Sequence, residues 1–420
     1  MRRPLASLTM FNLPFGRLFL LRALGFLAIL AVFIVNIPSP ALPRLINITK
    51  GIGSFDSIQN ATLGFEKILV IHLAERSDKR DALALSASLT GLDLTYVHSV
   101  RGSQVIEAAR PFNHQAHHLY ENAWGSWRGH MTAVRTVLEK NLSSALILED
   151  DIDWDVNLKR QLRAFAVGSR WLTSTSPPSP AHNFDKEKAF SNSTHNLSLL
   201  YNDPAISSPY STSSPYGQNW DILWLGHCGE GTRADDPRLF TILNDPTVPK
   251  FSHFINHFGR GFDPAVAPEH TRFVHASNLP VCTFAYAISY AGAQKLLYFA
   301  SVGGLLPNPF DVALGEMCRH KTLGLECVSV NPALFMNFQK RGPKGFDSDS
   351  TPGGENGEKR KKDNVDNIVF SVRLNAERLL SGKAAEAQTW EEVKQQDDLI
   401  VGNPYDMGSP LPKEMLDGFT

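Results

Sequence analysis

The segment LILEDDIDWD, residues 146–155, runs an apolar strand straight into five acids, Glu149, Asp150, Asp151, Asp153 and Asp155. Residues 145–148 have the length and composition of a buried strand. Ligands of open α/β sheets bind outside the carboxyl ends of the strands, where these acids are delivered. Carboxylates this close repel one another, and taking them out of water is costly. A hard divalent cation, Mn²⁺ or Mg²⁺, relieves both penalties, because such ions take carboxylate oxygen and keep positions open for substrate phosphates. Glu149, Asp151 and Asp153 are the expected metal ligands, with Asp150 turned toward the ligand. A solvated acidic loop with a helix cap would use the same residues; the strand in front of them favours the metal.

Working outward, residues 67–74 (KILVIHLA) read as another buried strand, 76–89 as a helix and 92–100 (LDLTYVHSV) as a second strand. That order argues for an α/β domain. A helix opening near Ser126 carries Trp127, Met131, Val134, Val137 and Leu138 on one face. Beyond the acids, strands are expected at 220–229, 282–290 and 325–336, and helices at 291–299 and 309–320. Residues 231–277 show no assignable period. Residues 173–218, dominated by Ser, Pro and Asn, are expected to be a disordered insertion, as are the Gly-, Asp- and Lys-rich residues 341–366.

The chain has 420 residues with 41 basic and 42 acidic side chains, a balance that argues against a nucleic-acid partner. Its first 22 residues carry Arg2, Arg3, Arg17 and Arg22 and no acid, and residues 23–35 are uninterrupted by charge. With residues 18–21 added, and Arg22 reaching back to the headgroups, the run approaches the roughly 20 residues that span a bilayer. The arginine bias places the N-terminus in the cytosol. The expected layout is a cytosolic tail at 1–17, a signal-anchor at 18–37, a stem at 38–64 and a lumenal domain at 65–420. A signal peptide cleaved near Ser39-Pro40-Ala41 is the alternative.

Asn47, Asn60, Asn141, Asn192 and Asn196 each open an Asn-x-Ser/Thr sequon, consistent with secretory passage. Asn47 and Asn60 fall in the stem and Asn192 and Asn196 in the insertion; Asn141 ends a helix pattern. Cys228, Cys282, Cys318 and Cys327 allow two disulfides or four buried thiols. Cys228 with Cys282, both on or beside strands, and Cys318 with Cys327, close in sequence, are the expected pairs.

Three segments carry a resemblance to a known family. They are VIHLA with the Arg76-Ser77-Asp78-Lys79-Arg80 loop, GSWRGHMTAV leading into ALILEDD, and FAYAISYAGAQKLL followed by PFD. In this order, across residues 67–338, they resemble glycosyltransferase family 25, which includes bacterial lipopolysaccharide and collagen galactosyltransferases. The resemblance implies a GT-A-like α/β domain with a central, mostly parallel sheet and a divalent metal. It also implies transfer, with inversion, from a UDP-sugar, often UDP-galactose, to a glycan or glycoprotein acceptor. Glu149, Asp150 and Asp151 match the family's acidic motif and His130 its helix histidine, with Arg128-Gly129 replacing the commoner Leu-Ser before it. The insertion after Asp155 and residues 231–277 depart from the bacterial members.

Other site residues have two readings each. Arg76, Asp78 and Arg80 would contact the donor from the loop after the first strand, or simply begin a charged helix. His130 would meet a donor phosphate near a helix start, or sit buried against backbone. Asp311 would be the general base, with Glu316 in reserve, or a helix cap. The expected location is the Golgi or endoplasmic reticulum membrane, type II. A carbohydrate hydrolase, or a glycan-binding relative without turnover, would be distinguished by nucleotide-sugar hydrolysis.

Overall fold

The computed structural model describes residues 55–389, except 111–118, 120, 175–192, 197–213, 234, 256–267, 304–308, 345–347 and 350–358. In chain order the described elements begin β1 (Lys67–His72), α1 (Ser77–Thr90), β2 (Leu94–His98), α2 (Glu121–Glu139), β3 (Ser144–Glu149), β4 (Ile152–Trp154) and α3 (Leu158–Ser174). They continue β5 (Ser193–Asn196), β6 (Ile222–Gly226), β7 (Leu239–Leu243), β8 (Arg272–Ala276), β9 (Ala285–Ser289), α4 (Tyr290–Ser301) and α5 (Phe310–Arg319). β10 (Cys327–Asn331), β11 (Phe335–Gln339), β12 (Gly342–Pro343), β13 (Lys359–Arg360), β14 (Asn364–Val365) and α6 (Ala376–Leu380) complete them.

Nine strands form one sheet in the order β2-β1-β3-β9-β6-β10-β8-β7-β5. β1 pairs in parallel with β2 and β3, β6 with β10, and β5 with β7. β9 runs antiparallel to β3 and β6, and β8 antiparallel to β10 and β7. The sheet is therefore mixed and mostly parallel, with β8 and β9 opposing the rest, and the fold is α/β.

Strand alternation builds a core on each face. Ile68 and Val70 of β1, with Leu146 and Leu148 of β3, meet Leu83 of α1 and Leu162 and Phe165 of α3. Leu69 and Ile71, with Ala145 and Ile147, meet Trp127, Met131 and Val134 of α2 and Leu296 and Phe310 of α4 and α5. The expected apolar stripe on α2 is thus buried as its spacing required. α2 also approaches the sheet closely: a Cβ on Gly129 would lie 2.6 Å from Ile71 Cγ2 and 2.7 Å from Ser99 Oγ. α1 ends where Gly91 takes a left-handed φ of 66°, which glycine adopts without steric cost.

Several expectations are corrected. The folded chain is packed from Phe55, not from residue 65: Phe55, Ile58 and Leu63 are buried in the first core. Of the 173–218 segment, residues 175–192 and 197–213 lie outside the described residues, while Ser193–Asn196 pairs with β7 and Tyr216 is fully buried, donating to Leu63 O at 2.5 Å. Residues 341–366 contain β12, β13 and β14. The single late strand at 325–336 is two, β10 and β11. The residues 231–277 contain β7 and β8, whose buried Arg272 is neutralised by Asp245 at 2.7 Å and so belongs to the interior. Both expected disulfides are present, Cys228–Cys282 and Cys318–Cys327. The expected tail and anchor lie outside the described residues, among which no helix is long and apolar enough to cross a membrane. Asn47 and Asn192 also lie outside them, as does the side chain of Asn196, while Asn60 is exposed.

Candidate functional site

β1 and β3 end side by side, with Ile71 paired to Glu149, and the Asp150–Asp151 turn follows. An open pocket lies at this edge. Ile71, His72 and Leu73 line it after β1, and Glu149, Asp150 and Asp151 after β3. Residues 99–102 beyond β2 form one wall, and Asn122, Gly125, Ser126 and His130 of α2 another. Lys79 of α1, with Ser348 and Asp349, completes it. The pocket thus lies at the carboxyl edge of a largely parallel sheet, the edge at which ligands of open α/β folds bind.

The five acids do not act as one cluster; the fold separates them into three settings. Glu149 Oε1 accepts from Thr283 Oγ1 at 2.9 Å and lies 3.6 Å from His130 Nε2. Burial opposes its charge, but His130, Thr283 and Lys79 outweigh that, and its carboxyl titrates below the ordinary range. His130 is itself fixed: Nδ1 meets the Tyr286 hydroxyl at 3.2 Å, Nε2 the Thr283 hydroxyl at 3.2 Å, and its ring stacks on Phe310 at 4.1 Å.

Asp150 and Asp151 share the Lys79 ammonium, at 3.3 and 3.0 Å, and Lys79 also meets Asp349 at 2.7 Å. Burial opposes the charge on Lys79, but the carboxylates around it raise its pKa. Burial and the neighbouring Asp151 push Asp150 up to about 7. Asp151 is also raised, mainly by burial, and its Oδ1 is buried without a hydrogen-bond partner.

Asp153 and Asp155 belong to the scaffold. β4 pairs with β11 in a separate three-stranded sheet, and Asp153 there is fully buried. It accepts from the Ser371 hydroxyl, from the Arg373 amide and, at 2.8 Å, from the Trp154 amide. Asp155 accepts from the amides of Asn157 at 2.8 Å and Phe370 at 3.0 Å. The expected ligand trio of Glu149, Asp151 and Asp153 therefore does not form. Among the described residues no group of three or more His, Cys, Asp or Glu side chains is placed to hold a metal ion. Asp150 and Asp151 remain as a pair. The orphaned Asp151 oxygen and the raised Asp150 carboxyl both fit a cation that would keep phosphate oxygens as its other ligands.

The remaining expectations fare unevenly. Arg76 forms ion pairs with Asp78, at 2.9 Å, and with Asp349. The Arg76 guanidinium holds the Asp78 carboxyl down to about 2. Arg80 stacks over the Tyr96 ring at 4.5 Å and does not line the pocket. His130 lies in the middle of α2, because that helix starts at Glu121 and not near Ser126, so its ring is not at the start of its own helix. Asp311 lies outside the pocket lining; its carboxylate accepts from the Cys282 amide at 2.8 Å and also from the Val312 amide. It fixes the disulfide-bonded loop to α5. Glu316 pairs with His320 at 3.1 Å and also lies outside the lining. His227, a further histidine just after β6, is buried, meets Val330 O at 2.8 Å and lies outside the pocket lining.

Lys79, Thr283, Tyr286 and Asp349 are the contacts that sequence reasoning missed. Lys79 stands inside the quoted Arg76–Arg80 segment, where nothing local distinguishes it from the two flanking arginines. Tyr286 and Thr283 lie in the FAYAISY segment or just before it, where a hydroxyl on an interior strand face was the available signal.

No protein-family model matches the chain. It is 21% identical over 307 residues to Procollagen galactosyltransferase 1-B of Xenopus laevis, a match covering 69% of this chain and 38% of that protein. The likeness is distant and supports a glycosyltransferase-like relationship.

Proposed function

We propose that the chain is a GT-A-like glycosyltransferase of the family 25 type that binds a nucleotide-sugar donor in the pocket at the ends of β1, β2 and β3. UDP-galactose is the donor, and a glycan or glycoprotein the acceptor, on the resemblance of the three segments. The observation that supports this most is the meeting of the Asp150–Asp151 turn with the buried Lys79 ammonium in one pocket at the sheet's carboxyl edge. A site with paired carboxylates and fixed cations suits a diphosphate leaving group, whose charge must be neutralised as it departs.

Asp150 and Asp151 would hold Mn²⁺ or Mg²⁺, which would supply Lewis-acid stabilisation of the leaving nucleotide. The chain's own groups prepare the rest. Lys79 brings a permanent charge to the same turn. Thr283 and His130 lock Glu149 in its ionised form and in one orientation. Asn122, in the first turn of α2, faces the pocket from the positive end of a 19-residue helix, which favours an anion there.

A screen of nucleotide sugars with the purified chain, measuring released nucleotide with and without Mn²⁺, tests the proposal. UDP released from one UDP-sugar is the expected result; no turnover with any donor would point to a glycan-binding protein instead. The proposed type II placement in the Golgi or endoplasmic reticulum membrane predicts an endoglycosidase-sensitive protein that resists carbonate extraction.

A further inference from the structure

Lys79, which lines the pocket, and Arg76, which stands outside its lining, together grip an internal anion. Asp349, far along the chain, places its carboxylate 2.7 Å from Lys79 Nζ and in direct contact with the Arg76 guanidinium. Its side chain is 23% exposed, and Asp349 lines the same pocket as Asp150 and Asp151. Lys79 is 7% exposed and Arg76 is partly buried, so neither cation can turn away into solvent when its partner changes. A carboxylate held by a lysine and an arginine beside paired aspartates has the chemistry of one phosphate group of a diphosphate.

We infer that Arg76 and Lys79 form the diphosphate subsite of the donor pocket, and that Asp349 fills that subsite as an internal surrogate which the donor must displace. The inference rests on the proposal that the pocket takes a nucleotide sugar. A diphosphate brought against Lys79 while Asp349 remained would place like charges around one ammonium, which is strongly unfavourable in a half-buried site. Asp349 and the donor therefore compete. The apparent affinity for the nucleotide is reduced by the fraction of molecules in which Asp349 holds the subsite. Asp78, Asp150 and Asp151 do not compete in this way, because they keep their own contacts with Arg76 and Lys79 when Asp349 leaves.

The test measures binding of UDP, uridine and inorganic pyrophosphate by calorimetry to the full chain at fixed Mg²⁺. The proteins are the wild type, Asp349→Asn and Lys79→Met, with thermal melts confirming that each variant is folded. Asp349→Asn should bind UDP and pyrophosphate about tenfold more tightly if Asp349 occupies the subsite nine-tenths of the time. Its affinity for uridine, which has no phosphate, should be unchanged. Lys79→Met should lose most of the difference between UDP and uridine; if it does not fold, Lys79→Arg, which keeps the charge, should retain that difference. Equal or weaker UDP binding by Asp349→Asn in a protein whose wild type binds UDP overturns the competition and leaves the nucleotide site standing. Pyrophosphate binding that tightens in Asp349→Asn while UDP binds no better than pyrophosphate keeps the anion subsite and removes the nucleotide reading. A chain that binds neither UDP nor pyrophosphate in any form overturns both.

Discussion

Asp151 and Asp153 stand two positions apart, yet one faces a pocket and the other holds the scaffold. The sequence displays five acids after a strand, and their presence was legible; their division was not. That division depends on partners more than 200 residues away, Ser371 and Arg373 for Asp153, and no local pattern announces them. The consequence is testable by contrast. Asp153→Ala leaves a buried hydroxyl and backbone amides without an acceptor and should cost about 3 kcal/mol in denaturant unfolding. Asp151→Asn keeps the volume, and Lys79 retains Asp150 and Asp349 as partners, so its metal-free stability should stay within about 1 kcal/mol of wild type. Equal losses for the two would contradict the separation of roles. Asp311→Asn should retain most of the activity, since its carboxylate serves backbone amides at Cys282 and Val312, and a large loss would restore it as the base.

At the scale of elements, α2 was legible from its 3.6-residue stripe, and β1 and β3 from their unbroken apolar runs. α3, β7 and β8 were not. β8 reads RFVHA, and an arginine and a histidine in five residues look like surface until Asp245 is seen to pair with the arginine and Glu230 to lie 3.4 Å from the histidine. The close seat of α2 on the sheet also escaped, because Gly129 in a helix reads as a mere weakness. Its hydrogen is required instead: in Gly129→Ala the new methyl meets Ile71 and Ser99 at under 3 Å. Alanine's better helix propensity, worth about 1 kcal/mol, should be outweighed by overpacking of about 1–3 kcal/mol. The variant should unfold at lower denaturant and bind nucleotide less well, because Ile71 and Ser99 line the pocket. A more stable Gly129→Ala would show that α2 can shift.

For the whole molecule, a second buried group of titratable side chains sets a pH preference. Glu230, fully buried, lies 3.4 Å from His275 and 3.9 Å from His227, with Ser329 and the Asn278 amide as its hydrogen-bond donors. Burial pushes Glu230 up to about 8 from 4.5. Burial also holds both histidines down to about 4 from 6.5, with Asp236 opposing slightly at His275. Between 4.5 and about 8 the native Glu230 keeps a proton that the unfolded chain has lost, so stability falls as pH rises. Between about 4 and 6.5 the unfolded histidines bind protons that the native ones do not, so stability rises with pH. Together they make this cluster most favourable near pH 6.5. Glu230→Gln, which resembles the protonated acid, should melt like wild type near that pH and lose the decline toward alkaline pH. Parallel melting profiles for the two proteins would remove Glu230 from the account.

The pocket at the ends of β1 and β3 is what would join these scales to the proposed function, and that proposal rests on Asp150 and Asp151 holding a cation that would neutralise a departing nucleotide. The most direct measurement is release of UDP from UDP-galactose by the wild type and by the Asp150→Asn/Asp151→Asn double variant, each with Mn²⁺ and with chelator. The wild type should release UDP with Mn²⁺ and the double variant roughly a hundredfold more slowly, while both remain folded. Full-rate release by the double variant and by the chelated wild type would contradict the account and reduce the acidic turn to a solvated loop.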